Sequence, residues 1–279
     1  MANFRHGRFP LASEADLFPF RWIAENLHSF AQGLPFSLTL LAILLAHEFG
    51  HYFACRYYGV GATLPFMIPM PSLSGSAGAV IRLRQRVRTR QALLGIGAAG
   101  PICGFVVAVL TSALGMRLSV PAAAAPEYLV QLNSPLLFVL LQRVLHPAHL
   151  ARNGPLLWHP VLFASWIGLL ITSLNLIPAG QFDGGHIVFA LSPRVHKAAT
   201  TATMLALVLL TITSFIGWFL WVVMLLVPAL RKPMLKDRSP VTPTMKWIAF
   251  CTAVVLLLSI VPEPIQHASL LAFLEQHHW

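Results

Sequence analysis

From Leu34 to about Ala54 nearly every position is apolar, yet His47-Glu48-Phe49-Gly50-His51 stands near the C-terminal end of the run. About 20 apolar residues are what a helix needs to cross roughly 30 Å of hydrocarbon. A charged side chain at that depth costs about 2.5–3.5 kcal/mol on insertion scales, so it needs a partner or a task. The fold must therefore hold a polar cluster inside an apolar span.

The rest of the chain agrees with a bilayer as its solvent. Of its 279 residues 57% are hydrophobic and 10% are charged, against about 25% charged in an ordinary soluble domain. The formal net charge is +10. Its basic residues gather in short loops beside apolar segments, which points to membrane topology and anionic lipid head groups. No stacking aromatics interleave with a basic stripe, so nucleic acid is not expected as a partner. The three cysteines, Cys55, Cys103 and Cys251, are far apart. They form neither a disulfide framework nor a CxxC metal site, and each is expected to be a small buried hydrophobe.

The fold class expected is an all-α polytopic membrane protein of about six transmembrane helices, with a re-entrant β-hairpin-like segment after the first. That segment, Gly59 to Leu83, is apolar but broken by Pro65, Pro69, Pro71, Gly75 and Gly78. It cannot be a straight spanning helix. Further spans are expected at about Gln91–Leu114, Pro160–Ile177 and Trp247–Val261. Ala198–Leu230 is long enough for two helices that turn near Ser214 and Gly217. Leu136–Leu145 is too short to span and is expected at the interface. Gly100 and Gly104 have the spacing that lets another helix approach closely. The domain expected is 34–262, between an N-terminal segment 1–33 and a tail 263–279. Residues 1–30 mix arginines with acids and do not read as a signal peptide. Within this length no added PDZ or CBS domain of ordinary size is expected.

Arg82, Arg84, Arg86, Arg88 and Arg90 occupy alternate positions. On a strand they would share one face. They read first as a topology determinant, since they and the basic residues of 193–197 and 231–246 fall on one side of the span count. That side is expected to be the cytoplasm of a cell membrane, with the HEFGH end of the first helix toward it.

His47 and His51 are four apart, which sets both imidazoles on one helix face. Two neutral imidazoles at that spacing can hold one zinc ion, and Glu48 between them can reach a water on the same metal, the H-E-x-x-H arrangement of zinc proteases. A catalytic zinc usually has a third protein ligand. Asp183 is the candidate. By local pattern it can equally be an N-cap, since it follows Pro178 and Gly180 and opens a helical stretch. Glu48 and Asp183 are the acids that sit in or against spanning segments, which favours the ligand. His186 is the weaker candidate, as a ligand or a support to one. His146, His149 and His159 are expected at the interface, and Trp158, Trp166, Trp218, Trp221 and Trp247 in aromatic-belt or core roles.

HEFGH in one apolar segment, with Asn175-Leu176-Ile177-Pro178-Ala179-Gly180-Gln181-Phe182-Asp183-Gly184 ending a later one, resembles the site-2 protease family of intramembrane zinc metalloproteases (peptidase family M50). The resemblance spans roughly Leu40 to Leu230. It implies Zn2+ held by His47, His51 and Asp183, Glu48 as general base, and Asn175 as a group that orients the substrate or its oxyanion. The family usually has Leu where this chain has Phe182, an apolar change. The resemblance also implies single-span membrane proteins or peptides as substrates, drawn from the bilayer and paired to the 59–83 hairpin. The competing expectations are a membrane cation transporter, a catalytically silent membrane-binding relative, and another class of membrane zinc protease with a different third ligand. Oligomeric state is not legible.

Overall fold

A computed structural model describes residues 33–69, 76–121, 132–145, 156–229, 235, 237, 239–266 and 269–270. Among these residues the helices are α1 Leu34–Tyr57, α2 Arg90–Leu118, α3 Leu136–Leu145, α4 Pro160–Asn175, α5 Asp183–Leu191, α6 Pro193–Thr213, α7 Trp218–Ala229 and α8 Pro243–Ser259. The strands are β1 Phe66–Pro69, β2 Ser76–Val80, β3 Val120–Pro121 and β4 Leu156–Leu157. All but residue 33 of the expected N-terminal segment 1–33, most of the expected tail 263–279, and His146 and His149 lie outside the described residues.

The helix starts follow from local chemistry. Proline stands in the first turn of α1, α4, α6 and α8, where its missing N–H costs nothing. Thr89, Ser192 and Thr242 precede α2, α6 and α8, and each hydroxyl accepts a backbone N–H of the first turn. α1 stops at Tyr58–Gly59, where Gly59 takes a positive φ of 67°.

α1, α2 and α6 are long and apolar enough to cross a membrane. The expected spans 160–177 and 247–261 are shorter or shifted. α4 has 16 residues and α8 has 17, about 24–26 Å of helix against roughly 30 Å of hydrocarbon. α4 ends early because Leu176 to Phe182 must turn to begin α5. The 198–230 stretch does divide, into α6 and α7, with the turn at Ser214–Gly217. Leu136–Leu145 is a helix of the expected bounds.

α2 is the hub and packs on α1, α4, α5 and α8. The seams are made by close approach at glycine. A Cβ on Gly50 would meet the Ala99 carbonyl, one on Gly115 the Leu162 backbone, and one on Gly168 the Ile43 side chain. In lipid, helix association rests on such contacts, because the tails are as apolar as the helix faces. Ile43, Ala108, Met116, Phe138, Leu162 and Leu169 fill the space between α1, α2, α3 and α4. Other apolar side chains face outward, Leu110 at 66% and Leu257 at 64% exposure, as lipid-facing surface does. Cys103 and Cys251 belong to this outer surface, and only Cys55 is buried as expected. At one end, Trp166 Nε1–H donates to the Asn133 carbonyl and Trp218 Nε1–H to the Pro262 carbonyl.

β1 and β2 pair antiparallel, Phe66 with Val80 and Met67 with Ala79, within the segment expected to form a hairpin. Pairing continues to Ala62 and Leu83. It ends there: Arg84 N–H donates to the Gly61 carbonyl, and the chain bends at Arg84–Gln85 to reach α2. The arginine alternation therefore does not lie on one strand face. Arg82, Arg84, Arg86 and Arg88 are exposed, whereas Arg90 opens α2 and is tied to another loop. Its N–H donates to Asp237 Oδ2 and its guanidinium to the Ser239 carbonyl.

Candidate metal centre

α1 brings His47 and His51 one turn apart, with ring centroids 4.8 Å from each other. Both are buried, at 4% and 8% exposure. The turn after α4 brings in Asp183. Its Oδ2 stands 3.3 Å from His47 Nε2 and 3.2 Å from His51 Nε2, and the two Nε2 atoms are 3.1 Å apart. Among the described residues these three form the one group of His, Cys, Asp or Glu side chains close enough to hold a metal. His186 is outside it.

The triangle fits zinc. Ligand atoms about 2.0–2.1 Å from a tetrahedral zinc stand roughly 3.3 Å from one another, and all three measured edges are within 0.2 Å of that. The donor chemistry fits as well. His51 Nδ1 lies 2.8 Å from the Ile96 carbonyl. A carbonyl only accepts, so Nδ1 carries the proton and Nε2 keeps its lone pair for a metal.

Asp183 is not the N-cap of α5. That position belongs to Phe182, and Asp183 is the first residue of the helix. Its carboxylate turns to the histidines instead of back to its own backbone. The first turn of a helix also favours a negative charge. The turn that delivers it is tight: a Cβ on Gly184 would overlap the Leu176 carbonyl, and one on Gly185 the carbonyls of Ala179 and Gly180.

α2 seats all three groups along one face. A Cβ on Gly97 would stand 3.2 Å from the Asp183 carbonyl, one on Gly104 3.2 Å from His47 Cβ, and one on Gly100 would fall inside the His51 imidazole. The Gly100/Gly104 pair anticipated a close approach. That what approaches are the two imidazoles, and that Gly97 extends the row to Asp183, was not read from the sequence. Pro101 adds to this notch, since it cannot donate to the Gly97 carbonyl.

Glu48 is half-buried on α1. Its Oε2 accepts the N–H of Ile81, just past β2, at 3.1 Å. Asn175 is the last residue of α4, with Nδ2 at 3.4 Å from His47 Nε2. His159 caps α4 through Nδ1. The backbone partners Ile81 N–H and Ile96 C=O escaped the sequence, because a main-chain group carries no residue-type signal.

Residues 35–217 match the model of peptidase family M50. A probable zinc metalloprotease of Arabidopsis thaliana, EGY2, chloroplastic, is 30% identical over 224 residues, which are 78% of this chain and 38% of that protein. EGY2 of Oryza sativa subsp. indica is 33% identical over 247 residues, 86% of this chain and 44% of that protein. EGY1 of Arabidopsis thaliana is 31% identical over 247 residues, with 85% and 44% covered. The chain thus spans about two fifths of the length of these relatives.

Proposed function

The chain belongs to peptidase family M50, and we propose that it is an intramembrane zinc metalloprotease that hydrolyses peptide bonds of membrane-spanning substrates, with Glu48 as general base. The observation that carries this is the triangle of His47 Nε2, His51 Nε2 and Asp183 Oδ2, with edges of 3.1–3.3 Å, beside a glutamate on the same helix.

His47, His51 and Asp183 would hold the zinc, and when bound it would supply Lewis-acid polarisation of a water and of the scissile carbonyl. Glu48 takes the proton of the attacking water and passes it to the leaving amine. The Ile81 N–H holds that carboxylate in place. Asn175, at the rim of the triangle, donates from Nδ2 toward the carbonyl oxygen as it gains charge.

The bilayer setting is read from lengths. Glu48 lies nine residues before the end of α1, about 14 Å along the helix axis. A hairpin whose end meets Glu48 must enter to that depth, which supports a re-entrant segment. A spanning substrate hides its peptide bonds in helical hydrogen bonds, so it must unwind near the site, and the β1–β2 edge offers a strand to pair with. We assign the catalytic unit to 34–262, with about six spans: α4, α7 and α8 cross within the bundle beside the longer α1, α2 and α6. The arginine-rich end of α1 and α2 faces the cytoplasmic side of the membrane. Single-span membrane proteins are the substrate class.

The test is Glu48→Gln, purified, reconstituted in liposomes with a single-span reporter and assayed for zinc. Zinc bound at the wild-type level with cleavage abolished is the expected result. Normal turnover by Glu48→Gln overturns the assignment.

A further inference from the structure

Gly180, three residues before Asp183, has both of its peptide groups captured by one helix. His196 Nε2–H donates to the Gly180 carbonyl at 3.0 Å, and the Gly180 N–H donates to Thr200 Oγ1 at 3.2 Å. His196 and Thr200 are four apart on α6, so they close on Gly180 from one helix face. The proton assignments are consistent. The Thr200 hydroxyl spends its own proton on the His196 carbonyl at 2.8 Å, which leaves its oxygen free to accept. The His196 ring is braced edge-on by Phe189 of α5, with centroids 5.4 Å apart.

What these two side chains hold is a glycine in the left-handed region. Gly180 has φ +56°, and a Cβ there would strike Leu225 of α7. Nothing in the local sequence favours that conformation over others that glycine can adopt. The Gly180 carbonyl also crowds Gly185, in the first turn of α5, where an added Cβ would stand 2.6 Å from it. A shift of this carbonyl therefore moves the turn that carries Asp183.

We propose that His196 and Thr200 are positioning residues for the third metal ligand: by fixing the Gly180 peptide from both sides they hold the first turn of α5 where Asp183 Oδ2 meets His47 and His51. This rests on the metalloprotease reading above. Neither side chain touches the triangle, so their action runs wholly through main-chain groups.

The experiment measures zinc affinity by chelator competition, the visible absorption of the cobalt-substituted protein, and reporter cleavage. The variants are His196→Ala, His196→Gln, Thr200→Val and Thr200→Ser. Support to a ligand is worth roughly 10–100-fold in metal affinity. His196→Ala and Thr200→Val are expected to bind zinc about tenfold or more weakly, with altered cobalt absorption and with cleavage that recovers at saturating zinc. His196→Gln, which keeps a donor, and Thr200→Ser, which keeps the acceptor, are expected to restore wild-type affinity. Wild-type affinity in both His196→Ala and Thr200→Val overturns the proposal. So does a loss that the conservative variants share, since that marks a merely structural role. Should His196→Ala not fold, the Thr200 pair decides alone. A wild-type protein that binds no zinc sinks the metalloprotease reading itself, and the clamp with it. One that binds zinc equally well in every variant sinks the clamp alone.

Discussion

The main-chain N–H of Ile81 donates to Oε2 of Glu48 at 3.1 Å, so the end of the β1–β2 hairpin rests on the one carboxylate between the two histidines. On the function proposed above, this contact would join the strand pair offered to substrate to the general base. Ile81→Pro removes the donor without touching a side chain of the site. Zinc content should stay at the wild-type level while cleavage falls roughly 10–100-fold, part of the 10²–10⁴ that a positioned base supplies. Ile81→Val keeps the N–H and should cleave normally. Equal rates for the two variants would remove the hairpin from the mechanism.

Asp183 reaches the histidines from a different helix, so its loss should separate metal from fold. Asp183→Ala leaves α1 and α2 intact, with His47 and His51 still seated. Zinc affinity should fall by roughly 10²-fold or more, since even groups that only support a ligand are worth about 10–100-fold. Metal analysis after dialysis checks this. Retention of full zinc by Asp183→Ala would mean that another group completes the site.

The part of this site that was legible in the sequence is the part made by side chains at helical spacing or by carboxylates in apolar surroundings. His47, Glu48 and His51 announce themselves within one turn, and Asp183 stands out because a charge has little other business there. What escaped is main-chain chemistry: the Ile96 carbonyl that sets the His51 tautomer, the Ile81 N–H on Glu48, and the Gly180 peptide held by α6. The arginine alternation meets a related limit. A period of two says which residues share a face while a strand lasts, but not where it ends. Here pairing stops at Leu83 because the chain must bend to reach Thr89 and cap α2. Pro178 and Gly180 mark the break after α4 in the sequence, and only the last turn differs: the helix ends at Asn175 where hydropathy alone runs on to Ile177.

Asp237 ties the loop before α8 to the start of α2. Its carboxyl is held below the usual carboxylate range, first by the Arg90 backbone N–H and then by the Ser239 backbone and hydroxyl. A lower value in the folded chain means that its contribution is complete above the unfolded value, about 3.9. It fades as pH falls through the lower folded value. The Arg90 amide should exchange slowly at neutral pH in wild type and faster in Asp237→Ala, and the gap between them should close on acidification below about pH 4. A gap that widens with acid would reverse the sign assigned here.

Gly100 and Gly104 line the same face of α2, yet alanine should affect them very differently. At Gly104 the added methyl would stand 3.2 Å from His47 Cβ, a contact relieved by a few tenths of an ångström. The helix propensity gained, about 0.8–1.0 kcal/mol, offsets much of that cost, so Gly104→Ala should keep zinc and melt close to wild type. At Gly100 the methyl would occupy the space of the His51 ring itself, which cannot swing aside without losing its bond to the Ile96 carbonyl. Overpacking of this kind costs about 1–3 kcal/mol, and the ring that must yield is a ligand. Gly100→Ala should therefore lose zinc affinity by roughly tenfold or more as well as melting temperature. Chelator competition and thermal unfolding of the two variants side by side check the ranking. A Gly100→Ala protein that holds zinc as tightly as Gly104→Ala would show that α2 does not seat the histidines.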